Sequence, residues 1–102
     1  MAFEKVAKLS ELAENQCHKV DFQGEEVLLI RKGKEVFAIH DLCTHSDASL
    51  CDGMIEGDEI ECPLHFARFN IKTGEVTSPP AFEDIKTYKV RVSEDDIELE
   101  SK

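Results

Sequence analysis

Between its glycines and prolines the chain repeats short stretches in which apolar and polar residues alternate. In YKVRV, Tyr88, Val90 and Val92 fall on one face and Lys89 and Arg91 on the other; in DIELE, Ile97 and Leu99 oppose Glu98 and Glu100. A period of two is the mark of a β-strand with one buried face. VLLIRK and GKEVFAI meet around Lys32 and Gly33, which predicts a hairpin turn. EIEC (59–62) and FARFNI (66–71) predict two further short strands flanking Pro63-Leu64-His65, so that tripeptide is expected on a hairpin-like loop. Together these segments favour an all-β protein, an antiparallel sandwich or barrel-like sheet stack, over a helical bundle. One helical turn is expected near the start, with Ser10 capping ELAEN. The alternation lapses from Asp41 to Gly53 and again in TSPPAFED (77–84), so the middle of the chain reads as loops inserted into a β framework. There is no repeat of solenoid length and no low-complexity segment.

A length of 102 residues sets the scale at one domain, expected to span residues 1–102. The longest apolar run, VLLI at 27–30, is far too short to cross a bilayer. The start, MAFEKVAKLSELAEN, lacks the basic, apolar and small-residue succession of a secretory signal, so a cytoplasmic location is expected. Acidic residues outnumber basic ones 22 to 12, for a net charge of −10. That charge repels nucleic acid and anionic membranes and attracts basic protein surfaces. Without a secretory signal, four cysteines point to metal or redox chemistry rather than to a disulfide framework.

The chemistry concentrates in CTHSDASLCDGMIEGDEIECPLH (43–65). Cys43-x-His45 is followed, sixteen residues later, by Cys62-x-x-His65. Each segment offers one thiolate and one imidazole. A structural zinc site is one reading, but zinc ligands usually come as C-x₂₋₄-C and H-x₃₋₅-H, and these pairs are mixed with a one-residue first spacer. Mixed pairs suit two metal ions side by side, with both thiolates on one and both imidazoles on the other, the ligand division of a Rieske [2Fe-2S] centre. Two cysteinates then leave the oxidised cluster about neutral, where four would leave it at about −2, so an electron is taken up more easily. Polar loop residues with no metal are the third reading. His18 and His40 have no partner at ligand spacing and read as strand residues.

CTH, CPLH and the downstream SPPAF closely resemble the Rieske-type ferredoxins of bacterial aromatic-ring-hydroxylating dioxygenase systems. The likeness extends through EVFAIHDLCTH, EGDEIECPLHFARFNIKTGEV and IKTYKVRV to DIELE, nearly the whole chain. The resemblance implies a Rieske fold: an antiparallel β sandwich with a small cluster-binding loop subdomain, here about 41–80. It implies one [2Fe-2S] cluster with Cys43 and Cys62 on the inner iron and His45 and His65 on the outer, and a third loop in which Pro79 and Pro80 limit water access. It implies no catalytic residue but a one-electron carrier, expected to be monomeric, between an NAD(P)H-dependent flavoprotein reductase and a terminal Rieske non-haem iron oxygenase.

Ser46 and Cys51, eight residues beyond Cys43, depart from the family. Many relatives have glycine after the first histidine, whereas here Ser46 stands there; its hydroxyl either donates to a cluster sulfur or faces solvent. High-potential Rieske proteins of respiratory complexes brace their loops with a disulfide whose positions match Ala48 and Leu64 here, so that bridge is absent and a low potential is expected. Cys17 and Cys51 are then expected as thiols, Cys17 beside a strand and Cys51 in a loop. Phe66, Phe69 and Phe82 suit either cluster shielding or core packing. Three competing classes remain. The catalytic oxygenase requires a second domain with a mononuclear iron, and no histidine follows His65 to ligate one. A small Rieske-like subunit of a nitrite reductase complex has a similar length, and a zinc-stabilised interaction module would contain no sulfide.

Overall fold

The computed structural model describes residues 2–41, 49–63, 67–78 and 84–100. Eleven strands lie among the described residues, and every pairing between them is antiparallel. Strands β1 (Phe3–Lys8), β11 (Asp96–Glu100) and β10 (Val90–Ser93) form one sheet with β11 in the middle. A second sheet runs β2 (Cys17–Phe22), β3 (Glu25–Lys32), β4 (Glu35–His40) and β9 (Thr87–Tyr88). The third is a meander of three-residue strands, β5 (Met54–Glu56), β6 (Glu59–Glu61), β7 (Arg68–Asn70) and β8 (Val76–Ser78).

The second sheet is the middle layer, and its sequence shows why. Val27 and Leu29 of β3 pack with Val36, Ala38, Phe22, Ile97 and Leu99 against the first sheet. Leu28 and Ile30 point the other way and pack with Ile39, Ile60, Phe69 and Ile71 against the third. A strand buried on both faces loses its alternation, which is why VLLI is continuously apolar. Burying such a side chain contributes roughly 1.5–3 kcal/mol each, so this one strand contributes to two cores. The peripheral strands keep their alternation: Ile97 and Leu99 are fully buried, while Lys89 and Arg91 are exposed.

The expected hairpin at Lys32 and Gly33 joins β3 to β4, with Gly33 at φ 64°. The helix expected over ELAEN does not form. It is replaced by a three-residue 3₁₀ turn, Leu9–Glu11, because Ser10 gives its backbone N–H and hydroxyl to Asp95 (3.0 and 2.8 Å). Glu11 takes the capping role by accepting from the Lys8 N–H at 2.8 Å. The stretch expected to be irregular from Thr77 in fact begins as strand, since β8 runs to Ser78.

Candidate metal centre

Cys62 is the one expected ligand among the described residues; Cys43, His45 and His65 lie outside them, as do Ser46, Pro79, Pro80, Phe66 and Phe82. It follows directly on β6, and its backbone N–H donates to the Ala67 carbonyl at 2.7 Å, closing the base of loop 63–66 between β6 and β7. The flanking strands β6 and β7 pair antiparallel as the sequence implied, while Leu64 and His65 between them lie outside the described residues. The Cys62 side chain is fully buried.

The base of loop 42–48 is closed by Asp41, whose side chain is fully buried. Its carboxylate accepts the Ser49 hydroxyl (2.9 and 2.8 Å to its two oxygens) and the Cys51 N–H at 3.2 Å. Lys19 of β2 supplies a compensating charge 3.2 Å away. The Asp41 backbone accepts from Leu50 N–H at 2.7 Å and donates to the Glu26 carbonyl at 3.0 Å. Residues before and after the loop are thus tied to each other and to β3.

Loop 79–83 is closed in a parallel way. The Asp84 carboxylate accepts the Val76 N–H at 3.0 Å, and Ile85 N–H donates to Gly74 at 2.7 Å. Beyond it, Lys86 accepts the His40 N–H at 2.9 Å, and Lys86 and the Tyr88 hydroxyl both reach Glu25 (2.9 and 2.5 Å). Burial and the adjacent Glu25 carboxylate push the Tyr88 phenol well above its ordinary range.

These three bases meet. Leu50, Cys62, Ala67 and Ile85, one or two from each loop, belong to a single apolar cluster. Gly53 makes the close approach possible: a Cβ there would lie 1.7 Å from the Glu61 carbonyl oxygen, immediately before Cys62. On the surface of the third sheet, Arg68 ties Glu56, Glu59 and Glu61 at 3.6, 3.3 and 3.7 Å. The Glu59 hydrogen bond first, then the charges of Glu61 and Glu56, hold its proton more firmly than usual.

The described part of the site suits a cluster: Cys62 offers a sulfur ligand in apolar surroundings, and two cysteines with two histidines, the set expected from the sequence, is the donor chemistry a Rieske centre requires.

Cys17 and Cys51, expected as thiols, instead form a disulfide with a Cα–Cα distance of 5.7 Å. The 3₁₀ turn Leu50–Asp52 brings Cys51 back against the start of β2, a contact across 34 residues that no local pattern announces. His18 and His40 are strand residues, as expected, and Phe69 is a fully buried core residue. Asp41, Ser49 and Asp84 were not expected to have a role, although a carboxylate stands at the first position of one lapse in alternation and at the last position of the other.

The profile described as Rieske [2Fe-2S] domain matches residues 2–89. The chain is 42% identical, over 82% of its length and 81% of the relative's, to the ferredoxin component of the naphthalene 1,2-dioxygenase system of Pseudomonas putida. The ferredoxin of carbazole 1,9a-dioxygenase from Nocardioides aromaticivorans IC177 superposes with a TM-score of 0.94 at 36% identity, covering 100% of both chains. A chain from a solved complex of reduced oxygenase and oxidised ferredoxin in carbazole 1,9a-dioxygenase superposes with a TM-score of 0.88 at 33% identity, covering 95% of this chain and 91% of that one.

Proposed function

The chain belongs to the Rieske [2Fe-2S] family, and from that premise we propose that Cys43 and Cys62 hold one iron of its cluster and His45 and His65 the other. The chain is a ferredoxin, a one-electron carrier of an aromatic-ring dioxygenase system rather than itself an enzyme, with one Rieske-type [2Fe-2S] cluster as its cofactor. When bound, that cluster supplies a reversible one-electron acceptor. The observation that carries the reading is the convergence of three clamped loop bases on one apolar cluster containing Cys62.

The residues at the three loop bases have positional tasks in this scheme. The Cys62–Ala67 bond fixes the second ligand loop, and Asp41, through Ser49 and Cys51, fixes the first. Asp84 fixes the third, in which Pro79 and Pro80 restrict water. Neutral imidazoles on the outer iron keep the oxidised centre about uncharged, and the absence of cysteine at 48 and 64 goes with a low-potential member of the class. The domain is 1–102, with the cluster-binding subdomain about 41–80.

The electron comes from an NAD(P)H-dependent flavoprotein reductase and goes to a terminal Rieske non-haem iron oxygenase, the second step paralleling the oxygenase–ferredoxin complex to which the chain is similar. The carrier works as a monomer in the cytoplasm, and no helix among the described residues is long and apolar enough to cross a membrane. Brief docking needs only a small interface, and the net charge of −10 speeds encounter with basic patches on both partners. The test is stopped-flow reduction by a ferredoxin reductase and reoxidation by a dioxygenase terminal component, across ionic strength. Both rates fall as salt rises. Rates flat in salt contradict the steering, and a chain that the reductase reduces but the oxygenase does not reoxidise contradicts the carrier role.

A further inference from the structure

The disulfide has no place in electron carriage, and its position gives it a different use. Cys17 opens β2, an edge strand of the middle sheet, and Cys51 lies in the 3₁₀ turn that follows the first ligand loop. The Cys51 N–H is itself one of the groups held by Asp41, so the S–S bond and the Asp41 clamp act on the same turn. Both cysteines pack against the apolar cluster that contains Cys62. They are nevertheless only half-buried, and together with Asn15, Gln16, Gly53 and Ile55 they line a surface cavity of about 260 Å³. The bond is therefore covalently tied to the cluster-bearing region and open to small reagents. Accessible disulfides are the labile and regulatory ones.

We propose that Cys17 and Cys51 form a thiol–disulfide exchange site for a low-molecular-weight thiol, and that its state sets how firmly the turn Leu50–Asp52, just after residues 42–48, is held. In the reducing direction a thiolate enters the cavity and attacks one cysteine sulfur. The protein S–S bond breaks, the other cysteine leaves as a thiolate and takes a proton, and a mixed disulfide remains. A second thiolate attacks that mixed disulfide, releasing the second cysteine and the small-molecule disulfide. The sum is one protein disulfide and two thiols giving one protein dithiol and one small disulfide, with two electrons and two protons transferred. A couple of two electrons is not closed by a single turnover of a one-electron carrier, so the site answers to the thiol pool and not to the electron traffic. The link to loop 42–48 rests on that loop carrying Cys43 and His45; the exchange chemistry itself does not.

The experiment uses the purified holoprotein equilibrated anaerobically in buffers of varied reduced-to-oxidised glutathione ratio, quenched with iodoacetamide and mapped by mass spectrometry. Cys17 and Cys51 gain one carbamidomethyl group each, together and through one midpoint, as the buffer becomes reducing. The dithiol form melts lower by about 10 °C or more, because opening a 34-residue separation restores chain entropy to the unfolded state. It also releases iron to a chelator at least about threefold faster. Cys17→Ser matches the reduced protein in melting and iron release in reducing buffer and forms no internal disulfide at any ratio, Cys51 only exchanging with glutathione. Cysteines alkylated at every ratio, or at none, overturn the exchange site whatever the cluster does. Exchange that proceeds with iron release unchanged overturns the coupling to the loop. Because the wild type supplies both arms, poor folding of Cys17→Ser does not remove the test.

Discussion

Asp41→Ala attacks the clamp on which the first ligand loop depends. The carboxylate is fully buried and accepts the Ser49 hydroxyl and the Cys51 N–H, so its removal strands two donors. A buried donor left without an acceptor costs about 1–3 kcal/mol. Ser49 is half-buried and regains some water, placing its share at the low end. Lys19 is 46% exposed, so its ion pair with Asp41 is screened by water and adds little. The sum is about 2–4 kcal/mol, a large part of the total stability of a small domain. Asp41→Asn keeps one acceptor oxygen and the volume, and costs about half as much. The assay is urea unfolding of the holoprotein followed by far-ultraviolet and visible circular dichroism. In Asp41→Ala the visible signal disappears at lower urea than the far-ultraviolet signal, because the loop opens before the sheets do. Refutation comes from an Ala variant within about 0.5 kcal/mol of wild type, or from an Asn variant as damaged as Ala.

Other substitutions separate packing from backbone effects. Gly53→Ala places a methyl 1.7 Å from the Glu61 carbonyl oxygen and costs at least the ~3 kcal/mol upper end of overpacking. Gly57→Ala, at φ +59° in open space, costs only about 1–2 kcal/mol; comparable losses in urea titration contradict the close approach. The Tyr88 phenol is raised in the folded state, so the native protein holds a proton that the unfolded chain gives up above about pH 10. Its stabilisation is present below that pH and is lost as pH rises further. Wild type therefore loses melting temperature above pH 10 more steeply than Tyr88→Phe, and parallel curves for the two refute the assignment.

The fold was legible where burial has a period. YKVRV and DIELE alternate because each has one wet face; DIELE is one strand, while YKVRV breaks at Lys89 into the end of β9 and the start of β10, with Tyr88, Val90 and Val92 all less exposed than Lys89 and Arg91. VLLI has no alternation because β3 serves two cores, a fact of layering that shows only once the third sheet is in place. The expected ELAEN helix gave way to a tertiary contact, Ser10 to Asp95, 85 residues away. Local propensity has no access to such a partner. The candidate site divides the same way. The spacing Cys43-x-His45 and Cys62-x-x-His65 is visible in the sequence because it is local to two short motifs, and Cys62, the one of the four that is described, stands at the hairpin base that the strand pattern implied. Asp41 and Ser49, by contrast, are ordinary loop residues until the chain closes on them. Cys17 and Cys51 looked like unrelated thiols for the same reason: the 3₁₀ turn that joins them to β2 is set by the Asp41 clamp.

A [2Fe-2S] cluster with two cysteine and two histidine ligands has a spectroscopic signature of its own, read by electron paramagnetic resonance of the dithionite-reduced protein with iron and acid-labile sulfide measured on the same sample. The expected result is equal iron and sulfide at about two of each per chain and a rhombic signal of Rieske type. A colourless protein with zinc and no sulfide, or an iron–sulfur signal of the all-cysteine type, contradicts it.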